Sequence, residues 1–138
     1  MTEKQMENEI EIIDFQTEGY APLVDYDKWR VAVLKFCDDL RIEKVTTMQK
    51  HLESDEVFVL MQGECTLFLG GRGEKPAELR HIKMELHKVY NIKKGEWHNH
   101  MMNEAGEVLI VENRNTSDDN SPIVSLTEEQ IKELRKLV

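Results

Sequence analysis

Only two cysteines, Cys37 and Cys65, occur in 138 residues, and they form no CxxC spacing. A disulfide framework and a zinc ribbon are both excluded, and the two residues are expected to be buried thiols. Basic charge is short as well: 18 Lys plus Arg face 27 Asp plus Glu, for a net charge of -9. Such a balance repels polyphosphate backbones, so no nucleic-acid partner is expected. No stretch approaches the roughly 20 apolar residues of a membrane span, which removes the membrane as an expected partner. The opening MTEKQMENEI has neither the basic start nor the apolar run of a secretory signal, so the expected compartment is the cytoplasm. No repeat of solenoid length and no low-complexity tract interrupts the chain, and its length suits a single domain over residues 1–138.

What is present is a globular balance of 40% apolar and 33% charged residues. Residues 1–9 are polar without period and predict a loose arm, after which Ile10, Ile12, Ile13 and Phe15 predict a first strand. WRVAVLKF, residues 29–36, is rich in Val and aromatics and predicts a strand buried on both faces. KVTTMQKHL adds β-branched Val45, Thr46 and Thr47, and EVFVLMQGECTLFLGG predicts a hairpin turning at Gly63. Past the loop GGRGEKPAE, LRHIKMELHKVYNI predicts one or two strands. NEAGE then predicts a second turn, leading into the strand VLIVEN. Strand following strand with short Gly-containing connections favours an all-β barrel or sandwich. The character changes at SLTEEQIKELRKLV, where a helix is expected over about 127–137. Thr127 can cap it and Gln130 can complete a capping box, with Glu128 and Glu129 at its start and Lys132, Arg135 and Lys136 toward its end. Ile131, Leu134 and Val138 recur at helical spacing, giving one side that can pack on the β structure or on a partner chain.

Residues two apart on a strand share a face, so Gln49 and His51 project together and Lys50 projects away. A turn through LESD then delivers Glu56 at the start of the apolar strand EVFVL, where a carboxylate is costly to bury without a partner. Later, GEWHNHMMN puts His98 and His100 on one face after a turn at Gly95, leaving Trp97 on the opposite face as packing or an interface anchor. His81 and His87, in lysine-containing stretches, read as surface residues, and Asp55 as a solvated neighbour of Glu56. Met48, Met61, Met84, Met101 and Met102 are scattered among the β segments and fit gap-filling core positions better than a soft-metal cluster.

Over roughly residues 29–113 these features resemble the cupin superfamily. In QKHLESDEVFVLMQG, His51 takes the second histidine of the family's first motif. Glu56 takes its carboxylate after a four-residue gap, and Gly63 its closing glycine after six more. Gln49 stands where the family has its first histidine, and no leading glycine precedes it, Glu43 lying near that place. The second motif, PxGxxHxxxN, is matched by Gly95 and His98 in NIKKGEWHNHMMN. Lys93 replaces the proline, and Met102 occupies the asparagine position, one before Asn103. The wider pattern looks similar to small bacterial single-domain cupins that carry no assigned reaction. The resemblance implies a double-stranded β-helix, or jelly-roll, barrel with a short C-terminal α-helix.

It also implies a divalent metal ion held by Gln49, His51, Glu56 and His98. Two histidines and a carboxylate suit divalent iron and equally accept Mn, Ni, Co or Zn. An amide at Gln49 is a weaker ligand than imidazole and should lower affinity, and His100 could replace it or act as a general base. Glu56 and His100 are accordingly the candidate proton-moving, catalytic residues. Satisfied polar residues in a barrel mouth, with no metal, are the alternative. Three functions follow. One is a metal-dependent isomerase or dioxygenase acting on a small polar molecule such as a sugar derivative. The others are a non-catalytic small-molecule-binding module and a structural homodimer. No phosphate-cradling loop, nucleophile elbow or aromatic-basic patch selects a substrate.

Overall fold

The protein was analysed as a computed structural model that describes residues 9–138; most of the expected N-terminal arm lies outside the described residues. Ten strands are formed: β1 (Gly19–Tyr26), β2 (Trp29–Lys35), β3 (Thr47–Gln49), β4 (Glu56–Gln62), β5 (Cys65–Leu69), β6 (Arg80–Lys83), β7 (Val89–Ile92), β8 (His98–Met102), β9 (Glu107–Asn113) and β10 (Ile123–Ser125). They make two five-stranded sheets, ordered β1-β2-β9-β4-β7 and β10-β3-β8-β5-β6, with every pairing antiparallel. Among the described residues one α-helix forms, α1 (Glu128–Leu137), capped by Thr127 and Gln130 in a reciprocal capping box. No helix among the described residues is long and apolar enough to cross a membrane.

Strict alternation builds the interior. Along β9, Val108, Ile110 and Glu112 are buried while their neighbours are only half-buried, and β4 alternates in step through Glu56, Phe58 and Leu60. Register places these side chains in layers. Leu34, Leu60, Val108, Cys65 and Met102 fill one end, and Ala32, Phe58, Ile110 and Leu67 the middle. A second apolar cluster lies on the other face of the second sheet, where Met48, Phe68 and Trp97 meet Leu134 of α1 and Leu126 ahead of it. The helix therefore packs on the β structure, as one of its two sequence readings had it. Val138, at the end of the apolar spacing, is exposed. Met48, Met84 and Met102 are core residues, whereas Met61 is exposed.

Two sequence readings are corrected. No strand forms over Ile10–Phe15; Ile10 and Ile12 are exposed and have no ladder partner, because apolar spacing alone supplies no neighbouring strand. The first strand is Gly19–Tyr26, an edge strand whose register shifts between Pro22 and Val24, where a missing N–H is tolerable. The turn at Gly63 is also not a hairpin, since β4 and β5 belong to different sheets. It is a corner at which the chain changes sheet, and the turn from β8 to β9 is another. The two corners are stitched together. Asn103 Oδ1 accepts from Glu64 N at 2.9 Å, and Gln62 Nε2 donates to Ala105 O at 3.0 Å. Gly63, at φ +72°, is required there because a Cβ would lie 2.6 Å from the backbone of Ala105.

Candidate metal centre and ligand cavity

At the end of the interior opposite the corners, the layer is polar. Glu56 of β4 precedes the Val57–Val111 pair and Glu112 of β9 follows it, Glu112 facing Arg30 of β2, and His98 of β8 pairs with Gln49 of β3. His51, just beyond β3, joins them. His51, Glu56 and His98 are 8%, 6% and 5% exposed, and one ligand atom from each lies within 4.8 Å of the other two. Both histidine Nε2 atoms converge on the same carboxylate oxygen, Glu56 Oε1, at 3.2 Å from His51 and 3.1 Å from His98.

The outer ring nitrogens decide what those Nε2 atoms carry. His98 Nδ1 sits 2.9 Å from the Glu96 carbonyl, which can only accept, so Nδ1 holds the proton. His51 Nδ1 lies 2.7 Å from Ser121 Oγ. Ser121 in turn donates to Asn120 Oδ1 at 3.0 Å. The Asn120 amide is oriented independently, its nitrogen donating to Asn115 O and its oxygen accepting from Ser117 N. The Ser121 hydroxyl proton is thus committed, and its oxygen accepts from His51 Nδ1–H. In their neutral forms both rings aim an Nε2 lone pair at an anionic oxygen. Three electron-rich atoms facing one another need a cation between them or a proton on each ring, and backbone- and hydroxyl-anchored Nδ1–H groups are the usual support of metal-ligating histidines. Burial works against charge on Glu56, but contact with His51 and His98 outweighs it and holds this carboxyl well below the usual range. Burial likewise opposes charge on His51, and Glu56 overcomes it, raising the pKa of the imidazole. The donor set fits a divalent metal ion.

The other sequence candidates are placed as follows. Gln49 lines the same cavity, its amide nitrogen donating to Ser121 O at 2.9 Å. His100 also lines it, edge-on to Phe58 at 5.6 Å between ring centroids. Burial pushes the His100 pKa down to about 4, so this ring is neutral. Trp97 points the other way, as its position in the strand demands, with Lys50 Nζ 4.6 Å above its ring. His81 and His87 are exposed. Asp55, read as a solvated neighbour, instead accepts from Lys94 N at 2.8 Å and Asn91 Nδ2 at 3.1 Å, fixing the turn that presents Gly95 and His98.

No protein-family model matches this chain, and no curated protein matches it. Solved structures do. A cupin-2 domain protein from Shewanella frigidimarina is 22% identical, with 72% of this chain and 85% of that one covered at a TM-score of 0.50. The cupin fold is the fold of this chain. The chain is also similar to Pac13 of Streptomyces, a nucleoside dehydratase, at 10% identity, 84% and 87% coverage and a TM-score of 0.56. A third similar structure is a TDP-fucose-3,4-ketoisomerase from Campylobacter jejuni, at 18% identity, 79% and 75% coverage and a TM-score of 0.51. At these identities the likeness establishes the fold.

Tyr20, Arg30 and Glu112 are among the cavity residues that sequence reasoning passed over. Glu112, 5% exposed, accepts the Tyr20 hydroxyl. Burial, outweighing that hydrogen bond, raises the Glu112 pKa, and the nearby charge of Glu56 adds to it. Burial and Glu112 together raise the Tyr20 pKa. Arg30 lines the cavity but is committed to Asp25 through two hydrogen bonds, at 2.7 and 3.3 Å. The signal for Glu112 was present, because in VLIVEN it falls on the inward phase of Val108 and Ile110, the same anomaly that marked Glu56.

Proposed function

We propose that this chain is a single-domain cupin that holds one divalent metal ion at His51, Glu56 and His98, with Gln49 beside them, and acts on a small polar molecule such as a sugar derivative. The observation that carries this reading is the convergence of two Nε2 lone pairs on Glu56 Oε1, each fixed by a partner on the far side of its ring. Fe, Mn, Ni, Co and Zn all suit two imidazoles and a carboxylate. Such an ion would polarise a substrate oxygen from its open positions. The amide oxygen of Gln49 is free of described protein donors and is the fourth ligand atom in this reading. The chain's own residues would orient the substrate against the wall formed by Tyr20, Glu112 and His100. His100 Nδ1, which has no described protein partner, is better placed to move a proton than Glu56, whose Oε1 is held by both histidines. The similar proteins that act on a nucleoside and on a nucleotide-linked sugar support a sugar-containing substrate.

Metal analysis of protein purified without chelator tests the assignment. About one divalent ion per chain is expected, falling to a small fraction in His51→Ala and His98→Ala. The competing solution puts a proton on each Nε2, balanced by Glu56 and Glu112. Protein that takes up no stoichiometric Fe, Mn, Ni, Co or Zn, even when these are supplied, would refute the metal site and leave a non-catalytic binding module or a structural homodimer. Light scattering separates these two by showing a monomer or a dimer.

A further inference from the structure

Among the described residues two buried side-chain polar atoms lack a protein hydrogen-bond partner, His100 Nδ1 and Thr116 Oγ1, and both residues line one cavity of about 360 Å³ beside the histidine-carboxylate cluster. Buried polar atoms are paired in the great majority of cases, because leaving one dry costs about 1–3 kcal/mol. Two such atoms on residues of one cavity wall are what a polar ligand would satisfy once their side chains turn toward it. A hydroxyl group suits both, since it donates and accepts, whereas a carboxylate or phosphate oxygen can only accept.

Charge gives a second, independent constraint. Arg30 is the lining's lone lysine or arginine, and its guanidinium is already bound through two nitrogens by Asp25. Glu56, Glu112 and Asp118 also line the cavity. With Arg30 and Asp25 counted as a neutral pair, a divalent ion at the histidine-carboxylate cluster and these three carboxylates leave the lining neutral with Glu112 protonated and with one net negative charge with it ionised. In neither state does it carry net positive charge to favour an anion, and the chain as a whole carries a net charge of -9. Apolar side chains, among them Leu34, Phe58 and Ile110, alternate with the polar groups and can cover the C–H faces of a ring. The volume lies at the lower end of the roughly 300–1,000 Å³ range of small-molecule sites, which suits one ring.

We propose that this cavity selects an uncharged, polyhydroxylated ligand of about one sugar ring, with ligand hydroxyls paired to His100 Nδ1 and Thr116 Oγ1. This rests on the reading of the cavity as the ligand site given under Proposed function, and it names the substrate class of that site. Ligand-observed NMR and calorimetry on the full chain, both metal-loaded and chelator-treated, test it against neutral hexoses, pentoses and inositols, with glucuronate and glucose 6-phosphate as matched anions. At least one neutral compound is expected to bind at least tenfold more tightly than its matched anion. Thr116→Val, which keeps the shape and removes the hydroxyl, is expected to weaken that binding at least threefold while metal content and Tm stay unchanged. Equal or tighter binding of the anions, no binding of any neutral compound, or wild-type affinity in Thr116→Val would each overturn the proposal. Neutral ligands bound by protein that takes up no metal would overturn the metal site alone. Metal uptake together with preference for the anions would overturn this selectivity alone.

Discussion

Replacing Ser121 by alanine separates a metal centre from a merely hydrogen-bonded polar cluster. Ser121 is 1% exposed, and its Oγ accepts from His51 Nδ1 at 2.7 Å while donating to Asn120. The substitution removes neither a ligand nor a charge, and the Ser121 carbonyl that holds Gln49 remains. Loss of such an outer partner typically lowers metal affinity about 10–100-fold, equivalent to roughly 1.4–2.8 kcal/mol of binding free energy. Without metal the cost is about 1–3 kcal/mol, because Asn120 Oδ1 keeps the Ser117 N–H while the buried His51 Nδ1–H loses its acceptor. At an ion concentration about 100 times the wild-type Kd, the ion stabilises the folded chain by about 2.7 kcal/mol. In the variant that contribution shrinks to about 1.4 kcal/mol for a tenfold loss, or about 0.4 kcal/mol for a hundredfold loss. Competition with a chromophoric chelator gives the Kd, and thermal unfolding with and without the ion gives the stabilisation. Wild-type affinity in the variant, together with equal loss of Tm in the two conditions, would refute the inference that Ser121 sets the His51 tautomer for a cation.

Burial pushes the Cys65 thiol from its ordinary 9.0 up to about 12. Native protein should therefore expose one alkylatable thiol, Cys37, and denatured protein two. Labelling of Cys65 in native protein at pH 9 would contradict this. The same shift has a sign in stability. Between pH 9 and 12 the unfolded thiol ionises while the folded one keeps its proton, so stability falls as pH rises through this window. The slope approaches about 1.4 kcal/mol per pH unit from this group alone, and Cys65→Ala should flatten it in denaturant titrations. Leu134, 0% exposed beneath α1, should cost about 2–5 kcal/mol when cut to alanine. Urea unfolding of Leu134→Ala within about 0.5 kcal/mol of wild type would mean that the helix does not dock as described.

The inward residues were legible because the period of a strand is fixed by its geometry. Glu56, His98 and His100 could be assigned to one face from spacing alone, and Trp97 to the other. Period says nothing about which strand lies alongside. EVFVLMQGECTLFLGG looks the same whether Gly63 folds the chain back on itself or carries it to the opposite sheet, since both turns call for a positive φ. The choice depends on Asn103 and Ala105, forty residues away. β1 was missed for a related reason. An edge strand with Pro22 at a bulge needs neither strong β propensity nor an unbroken ladder. Ser121 and Thr116 lie in the connection between β9 and β10, where no strand period applies, and their roles come from how that loop folds over the strand ends.

The apolar layers anchored by the stitched corners and the polar layer at the other end divide labour within one set of strands. Residues such as Leu60, Val108 and Met102 can be held constant for folding, while Thr116, Ser117 and Ile123, which line the cavity, belong to neither that apolar cluster nor the one beneath α1. A library confined to those cavity positions should therefore retune ligand choice without revisiting the fold, which makes this chain a scaffold for new small-molecule specificities.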